Sequence, residues 1–161
     1  MARIREVGWS MTGLAAMAAV ALFVTAPRVL DAHCQVPCGI YDDPARIAEL
    51  REDATTIEKA IAGINELASK NDAQSLNQAV RWVTTKDGHA DHAIELVSAY
   101  FFAQRVKPVA AGAEGHDAYL KSLAAHHAVI VAAMKCKQNA DAKVVEDLRK
   151  AIDGIAGYYT K

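Results

Sequence analysis

The sequence predicts an all-α protein, an antiparallel four-helix bundle with a metal-binding hook at its amino-terminal end. Apolar residues make up 52% of the chain and aromatic residues only 6%, which favours a helical, alanine-rich core over a sheet. Four stretches repeat apolar residues at spacings of three and four, as amphipathic helices do. Because 161 residues suit one domain, we expect a single bundle.

Residues 1–32 have the layout of a secretory signal. Arg3 and Arg5 precede an uncharged apolar run from Met11 to Ala26, and Ala32 supplies the small residue needed for cleavage. The run is shorter than the roughly 20 residues that cross a bilayer comfortably. We therefore expect a leader peptidase to cut after Ala32 and to leave an exported, periplasmic or extracellular protein without a stable membrane anchor. An uncleaved anchor is the alternative.

The hook is the nine-residue stretch His-Cys-Gln-Val-Pro-Cys-Gly-Ile-Tyr that begins at His33. It contains one imidazole and two thiols, those of Cys34 and Cys38. Pro37 before the second thiol and Gly39 after it favour a turn, so both sulfurs can converge on one point. The pattern predicts a metal site with His33, Cys34 and Cys38 as ligands.

The hook resembles the amino-terminal nickel hook of the nickel superoxide dismutases, whose mature chains begin His-Cys-x-x-Pro-Cys-Gly-x-Tyr. The matching positions are His33, Cys34, Pro37, Cys38, Gly39 and Tyr41. A looser resemblance extends over most of the chain after residue 32. The resemblance to this family implies an oxidoreductase that converts superoxide to oxygen and hydrogen peroxide. It also implies one nickel ion per chain and assembly as a homohexamer.

Cleavage after Ala32 would give His33 a free amine, which is one of the donors that the metal needs. This amine, the amide nitrogen of Cys34 and its sulfur could chelate one ion through fused five-membered rings, and Cys38 would complete a square. Two nitrogens and two sulfurs in a plane suit Ni(II) or Cu(II), so the choice of nickel depends on the resemblance. The two thiolates and the deprotonated amide are anionic donors, and they make the trivalent state of the metal reachable. Ni(II)/Ni(III) cycling requires that state. We assign the His33 imidazole the axial position.

The resemblance also implies catalytic roles for two residues that are not ligands. Tyr41 would lie near the metal as a hydroxyl donor and gate. Glu49 has the offset from the hook at which the family tends to carry a carboxylate that supports the axial imidazole. His89 takes the place of the family's usual arginine partner, and Gln35 stands where many members have an acidic residue. No site for another cofactor is predicted.

Two other functions remain open. The chain could be a non-catalytic nickel or copper carrier that uses the same ligands, or an exported helical-bundle binding protein in which Cys34 and Cys38 form a disulfide. A cytoplasmic location is also open, because some family members carry a pro-segment that a dedicated protease removes. The net charge of −1, without a basic run, argues against nucleic acid as a partner.

The bundle is predicted for residues 42–161, and its first helix should start at Asp43 and Pro44, a cap followed by proline. Two of the predicted apolar stripes are Ile47, Leu50, Ala54, Ile57, Ile61, Ile64 and Leu67 in the first helix, and Leu76, Val80, Val83, Ala90, Ile94, Val97 and Phe101 in the second. Asp87 and Gly88 predict a kink in the second helix. The other two stripes are Leu120, Leu123, His127, Ile130 and Met134 in the third helix, and Val145, Leu148, Ile152, Ile155 and Tyr159 in the fourth.

Several residues outside the hook could also carry chemistry. His89 and His92 lie one helical turn apart and could share a metal, although surface or core histidines are the simpler interpretation. A di-iron site is excluded, because no histidine has a glutamate three residues before it. Tyr100, Phe101, Phe102 and Trp82 are interpreted as core or interface aromatics, and Cys136 as an incidental thiol.

Overall fold

The computed structural model describes residues 41–160, and its helices confirm the predicted fold class. The helices are α1 (Asp43–Leu67), α2 (Ala73–Glu95), α3 (His116–Gln138) and α4 (Ala142–Ala156). A π-helix, Leu96–Arg105, continues α2. The described residues contain no strand. None of these helices combines the length and the apolar composition needed to cross a membrane.

Aspartate side chains cap the starts of three helices. Asp42 accepts a hydrogen bond from the Ala45 amide at 3.1 Å, so the cap of α1 lies one residue before the predicted one. Pro44 occupies the first turn, where its missing amide proton costs nothing. Asp72 caps α2 through the Ser75 amide at 2.9 Å. Asp141 caps α4 through the Lys143 amide, two residues later, at 2.9 Å.

The four helices pack in a ring, with each helix against the next along the chain and α4 against α1. Residue pairs show that neighbours run in opposite directions. Near the start of α1, Arg51 pairs with Asp153, which lies near the end of α4. Further along α1, Glu58 pairs with Arg149, one turn earlier in α4. The bundle is therefore antiparallel, as predicted.

The stripes predicted for α1 and α4 form much of the core. Fully or almost fully buried residues are Ile47, Leu50, Ala54, Ile57 and Ile61 in α1, and Val145, Leu148, Ile152 and Ile155 in α4. Tyr100 and Phe101 are buried beside them. Their interpretation as core aromatics is confirmed.

The stripe predicted for the first half of α2 is wrong. Leu76, Val80 and Val83 are 66%, 57% and 41% exposed. The buried residue of this half is Ser75, and the next buried residue along α2 is Lys86. The Lys86 ammonium is buried because it donates to the main-chain oxygens of Cys136 and Lys137 at the end of α3, 2.7 Å away in both cases. The hydrogen bonds of Lys86 to the end of α3 thus replace the apolar contact that periodicity predicted.

The predicted kink at Asp87 and Gly88 is also wrong, since α2 passes through both residues as an α-helix. The distortion comes later, where the π-helix begins. At the end of the π-helix, the Val106 amide donates to the Phe101 carbonyl, five residues earlier, at 2.8 Å. The wider turns of this segment carry Tyr100 and Arg105.

The stripe predicted for α3 is displaced by about one residue. The buried residues of this helix are His126, Val129, Ala132, Ala133 and Cys136, whereas His127 and Met134 are exposed. A displacement of one residue rotates the inward face by about 100°. Two alanines and a histidine face the core because small side chains let the helices approach closely and the imidazole is fully hydrogen-bonded. Cys136 also lies in the core, on the displaced face of this helix.

Candidate functional site

The predicted nickel ligands His33, Cys34 and Cys38 lie outside the described residues, so their roles stay predictions. The described chain begins at Tyr41, the last residue of the hook. The structure therefore shows the place where the hook joins the bundle. Tyr41 is 38% exposed there and packs against side chains from the π-helix.

Tyr41 is held on two sides. The edge of its ring meets the Tyr100 ring at 78°, with centroids 6.0 Å apart. The Arg105 guanidinium carbon lies 4.5 Å from the centroid of the Tyr41 ring, within the range of a cation–π contact. The first described residue of the chain is thus anchored to the bundle.

Asp43 links the groups that hold Tyr41. Its carboxylate accepts two hydrogen bonds from Arg105 in a fork, at 2.6 and 2.9 Å, and a third from the Tyr100 hydroxyl at 2.7 Å. The carboxylate is 13% exposed, and it lies in the first turn of α1, where the helix dipole favours negative charge. We call Tyr41, Asp43, Tyr100 and Arg105 the hook-base cluster.

Two members of the hook-base cluster, Tyr100 and Arg105, are kept protonated by their surroundings. Burial raises the pKa of Tyr100, and the hydrogen bond to Asp43 and its charge raise it further. Tyr100 therefore stays protonated and donates. The hydrogen bond to Asp43 likewise raises the pKa of Arg105, so the guanidinium keeps its charge.

The π-helix explains how Tyr100 and Arg105 reach the same carboxylate. In an α-helix, residues five apart point about 140° away from each other. The π-helix closes hydrogen bonds between residues five apart, which brings them toward the same side. The hook-base cluster thus depends on this rare segment, and sequence periodicity contained no signal for it.

Glu49, predicted to support the axial imidazole, lies on α1 in an ion pair. Nη1 of Arg46 donates to both of its carboxylate oxygens, at 2.6 and 2.8 Å. The Arg46 guanidinium also lies 6.0 Å from the centroid of the Tyr100 ring, which connects Glu49 to the hook-base cluster. Arg46 is a cationic partner of Glu49 that the sequence analysis missed.

His89, in the place of the family's arginine, does not contact Glu49. Its Nδ1 lies 2.8 Å from Oδ1 of Asp53, and Nδ1 of His92 lies 2.8 Å from Oδ2 of the same carboxylate. Asp53 is only 3% exposed. The sequence held one signal for it, a carboxylate between Leu50 and Ala54 on the core face of α1. We call Asp53, His89 and His92 the imidazole–carboxylate cluster.

His126 is fully buried, and both of its ring nitrogens are hydrogen-bonded. Nδ1 lies 2.7 Å from the Ser122 carbonyl, so it carries the proton and donates. Nε2 then accepts from the Tyr159 hydroxyl at 2.8 Å. Burial lowers the pKa of His126 and raises the pKa of Tyr159 to about 12. Both groups stay neutral, which makes this pair structural.

Cys136 is a free thiol buried under α4. Its sulfur lies 3.5 Å from the Val144 carbonyl. Burial raises the pKa of the thiol to about 11, so the thiolate that binds metals is rare at neutral pH. Across residues 41–160, no group of three or more His, Cys, Asp or Glu side chains is arranged to hold a metal ion.

Comparison with known proteins identifies the family. The model of the nickel-containing superoxide dismutase family matches residues 28–161, a range that includes the hook and all four helices. No curated protein and no solved structure matches the chain. Since the family match covers far more than half of the sequence, the chain belongs to the nickel-containing superoxide dismutases, nickel-dependent oxidoreductases that act on superoxide.

Proposed function

We propose that this superoxide dismutase binds nickel through His33, Cys34 and Cys38 once the chain has been cut after Ala32, and that it disproportionates superoxide by Ni(II)/Ni(III) cycling. The family match supports the activity. The hook motif supports the ligand set, because its histidine, its cysteines and its turn residues occupy the family's positions. The hook motif is the observation that carries the proposal.

The donor set of the hook suits nickel. Cys34 and Cys38 would supply two thiolates, and the His33 amine and the Cys34 amide would supply two nitrogens, a donor set that suits an ion of the late first transition series. Bound nickel would supply the one-electron chemistry by which superoxide is alternately oxidised and reduced. The His33 amine is available as a donor only after the peptide bond to Ala32 has been cut, so processing of the chain and metal binding are coupled.

Tyr41 is proposed as the proton donor nearest the metal. Cys38 precedes Tyr41 by three residues, so the two Cα atoms are at most about 11 Å apart. Arg105 and Tyr100 hold the Tyr41 ring, which limits how far its hydroxyl can move. A phenol fixed in this way can deliver a proton to a reduced oxygen species and can narrow the approach to the open side of the hook.

Glu49 is proposed to orient the His33 imidazole by accepting from its ring N–H. The ion pair with Arg46 keeps the Glu49 carboxylate in place on α1. Both side chains are about one-third exposed, at 35% and 34%, so the carboxylate is open to a further donor. Arg46, rather than His89, is the cation proposed to support this interaction.

Homo-oligomer formation, as a hexamer by family resemblance, is part of the proposal. Two apolar strips on the bundle surface support it. They consist of Leu76, Val80 and Val83 on α2, and Leu120, Val131 and Met134 on α3. Strips of this kind mark protein contacts more often than isolated surface residues do. Export of the chain remains a proposal that depends on the leader.

The test uses the processed chain beginning at His33, loaded with nickel, and follows the disappearance of superoxide. We expect rapid turnover and an electron paramagnetic resonance signal from the bound nickel. Retention of Ala32 and the Cys38→Ser substitution should each abolish turnover. The matched control is Cys136→Ala, which removes a buried thiol far along the chain from the hook and should keep the activity.

Each alternative predicts a different result in the same experiment. A carrier would bind one nickel ion per chain without accelerating superoxide decay. A disulfide-bonded binding protein would show neither reactive thiols at Cys34 and Cys38 nor bound nickel. Full activity in a chain that still carries Ala32 would overturn the proposed coordination.

A further inference from the structure

Asp53 supports two surface histidines from within the bundle. The carboxylate is 3% exposed, and each of its oxygens lies 2.8 Å from an Nδ1 atom, of His89 or of His92. A buried carboxylate needs hydrogen-bond donors, because burying an unpaired charge is costly. Both Nδ1 atoms therefore carry a proton and donate to Asp53.

This arrangement determines what the other side of each imidazole can do. When neutral, a ring that donates through Nδ1 has an unprotonated Nε2 with a free lone pair. The side chains of His89 and His92 are 41% and 51% exposed. They line an open cleft of about 490 Å³ together with Thr84, Thr85 and Gly88. Two lone pairs on one helix face are thus accessible from solvent.

We propose that His89 and His92 bind a divalent transition-metal ion through Nε2, with Asp53 orienting both rings. Residues three apart on a helix have Cβ atoms about 5–6 Å apart, close enough for two imidazoles to share one ion. Imidazole nitrogens suit zinc, copper and nickel. Histidine ligands whose second nitrogen donates to a carboxylate are a recurring arrangement in metal sites. The site uses residues separate from the hook.

The bound ion would be exchangeable. The described residues supply no third side chain arranged to complete the coordination. Water would fill the remaining positions, and the cleft is open enough to admit it. We therefore expect weaker binding than at the hook, and release of the ion to a competing chelator.

The experiment uses the full processed chain with both hook cysteines changed to serine, which removes the strong site. Zinc sulfate is titrated into this variant by calorimetry. We expect saturable binding of one zinc ion in addition to any weak binding at the amino terminus. His92→Gln should abolish this binding, since glutamine keeps an N–H donor for Asp53 but loses the imidazole ligand. The matched control is His127→Gln, an exposed histidine on α3.

Asp53 is tested separately. Asp53→Asn leaves both histidines in place but can no longer accept from both rings, so zinc affinity should fall by about 10- to 100-fold. Circular dichroism establishes that each variant is folded. The proposal is overturned if the chain with both hook cysteines changed to serine shows no saturable zinc binding. It is also overturned if His92→Gln binds zinc as well as His127→Gln does. Neither result would affect the activity proposed for the hook.

Discussion

His126 and the pair His89 and His92 have the same side chain in two opposite environments. At His126, the Ser122 carbonyl and the Tyr159 hydroxyl occupy both ring nitrogens, and no part of the residue is exposed. At His89 and His92, Asp53 occupies one nitrogen of each ring and the opposite side faces a cleft. The number of nitrogens bonded inside the bundle separates a structural histidine from one that can bind a ligand.

The largest effect is expected from His126→Ala. The substitution removes a buried ring that packs against Phe101 and Tyr159, and it leaves a cavity. We expect the free energy of unfolding to fall by about 3 kcal/mol, as in other removals of buried rings. Urea denaturation measures the change. The control is the exposed neighbour, His127→Ala, which should change stability by less than about 0.5 kcal/mol.

Tyr159→Phe tests the hydrogen bond alone. It keeps the aromatic packing but removes the hydroxyl 2.8 Å from Nε2 of His126. The buried nitrogen then has no donor, which should cost about 1–3 kcal/mol of unfolding free energy. Tyr158→Phe changes a hydroxyl on the exposed side of the same turn and is the matched control. Equal stability of the two variants would contradict the structural role of the bond.

The pH dependence of stability gives a third test. Burial lowers the pKa of His126 below its ordinary value of 6.5. The unfolded chain therefore binds this proton more readily, and stability is lost as the pH falls below about 6.5. Urea denaturation between about pH 5 and pH 8 should show this loss, and His126→Leu should flatten it. An identical pH profile in the two proteins would show that His126 is not the group responsible.

The smallest effect on stability is expected at His92, one of the two histidines that line the cleft. His92→Gln keeps a donor for Asp53 in a half-exposed position, so unfolding free energy should change by less than about 0.5 kcal/mol. His92→Leu offers no donor and should cost about 1 kcal/mol more. Thermal denaturation of the two variants measures the difference. If leucine were tolerated as well as glutamine, the Asp53 contact would have no stabilising value.

Much of the fold could be predicted from the sequence because α1 and α4 follow simple apolar periodicity. Ile47, Leu50 and Ile57 repeat at the spacing of one helix face and are buried as expected. The inward face of α3 could not be predicted in this way. Its core residues include Ala133 and His126, whose burial depends on close helix contact and on a partner contributed from beyond the end of α4. Hydrophobicity alone ranks Leu120 and Met134 above them, yet both are exposed.

The candidate site also contains one part that is local in sequence and one part that joins distant residues. The hook is local in sequence, so its ligands and its turn could be inferred from neighbouring residues. The hook-base cluster joins Asp43 to residues 57 and 62 positions later, and no local pattern connects them. The position of Asp53 on an apolar helix face indicates that its carboxylate requires hydrogen-bond donors. Only the structure shows that two histidines provide them.

The π-helix makes the join between hook and bundle sensitive to the winding of one helical segment. Tyr100 and Arg105 converge on one carboxylate because five residues separate them within unusually wide turns. If the same residues wound as an ordinary α-helix, the side chains of Tyr100 and Arg105 would point about 140° apart. Tyr41 would then lose its cationic neighbour although every contacting side chain was still encoded. Contact between the hook and the bundle therefore depends on how this segment winds as well as on which residues it contains.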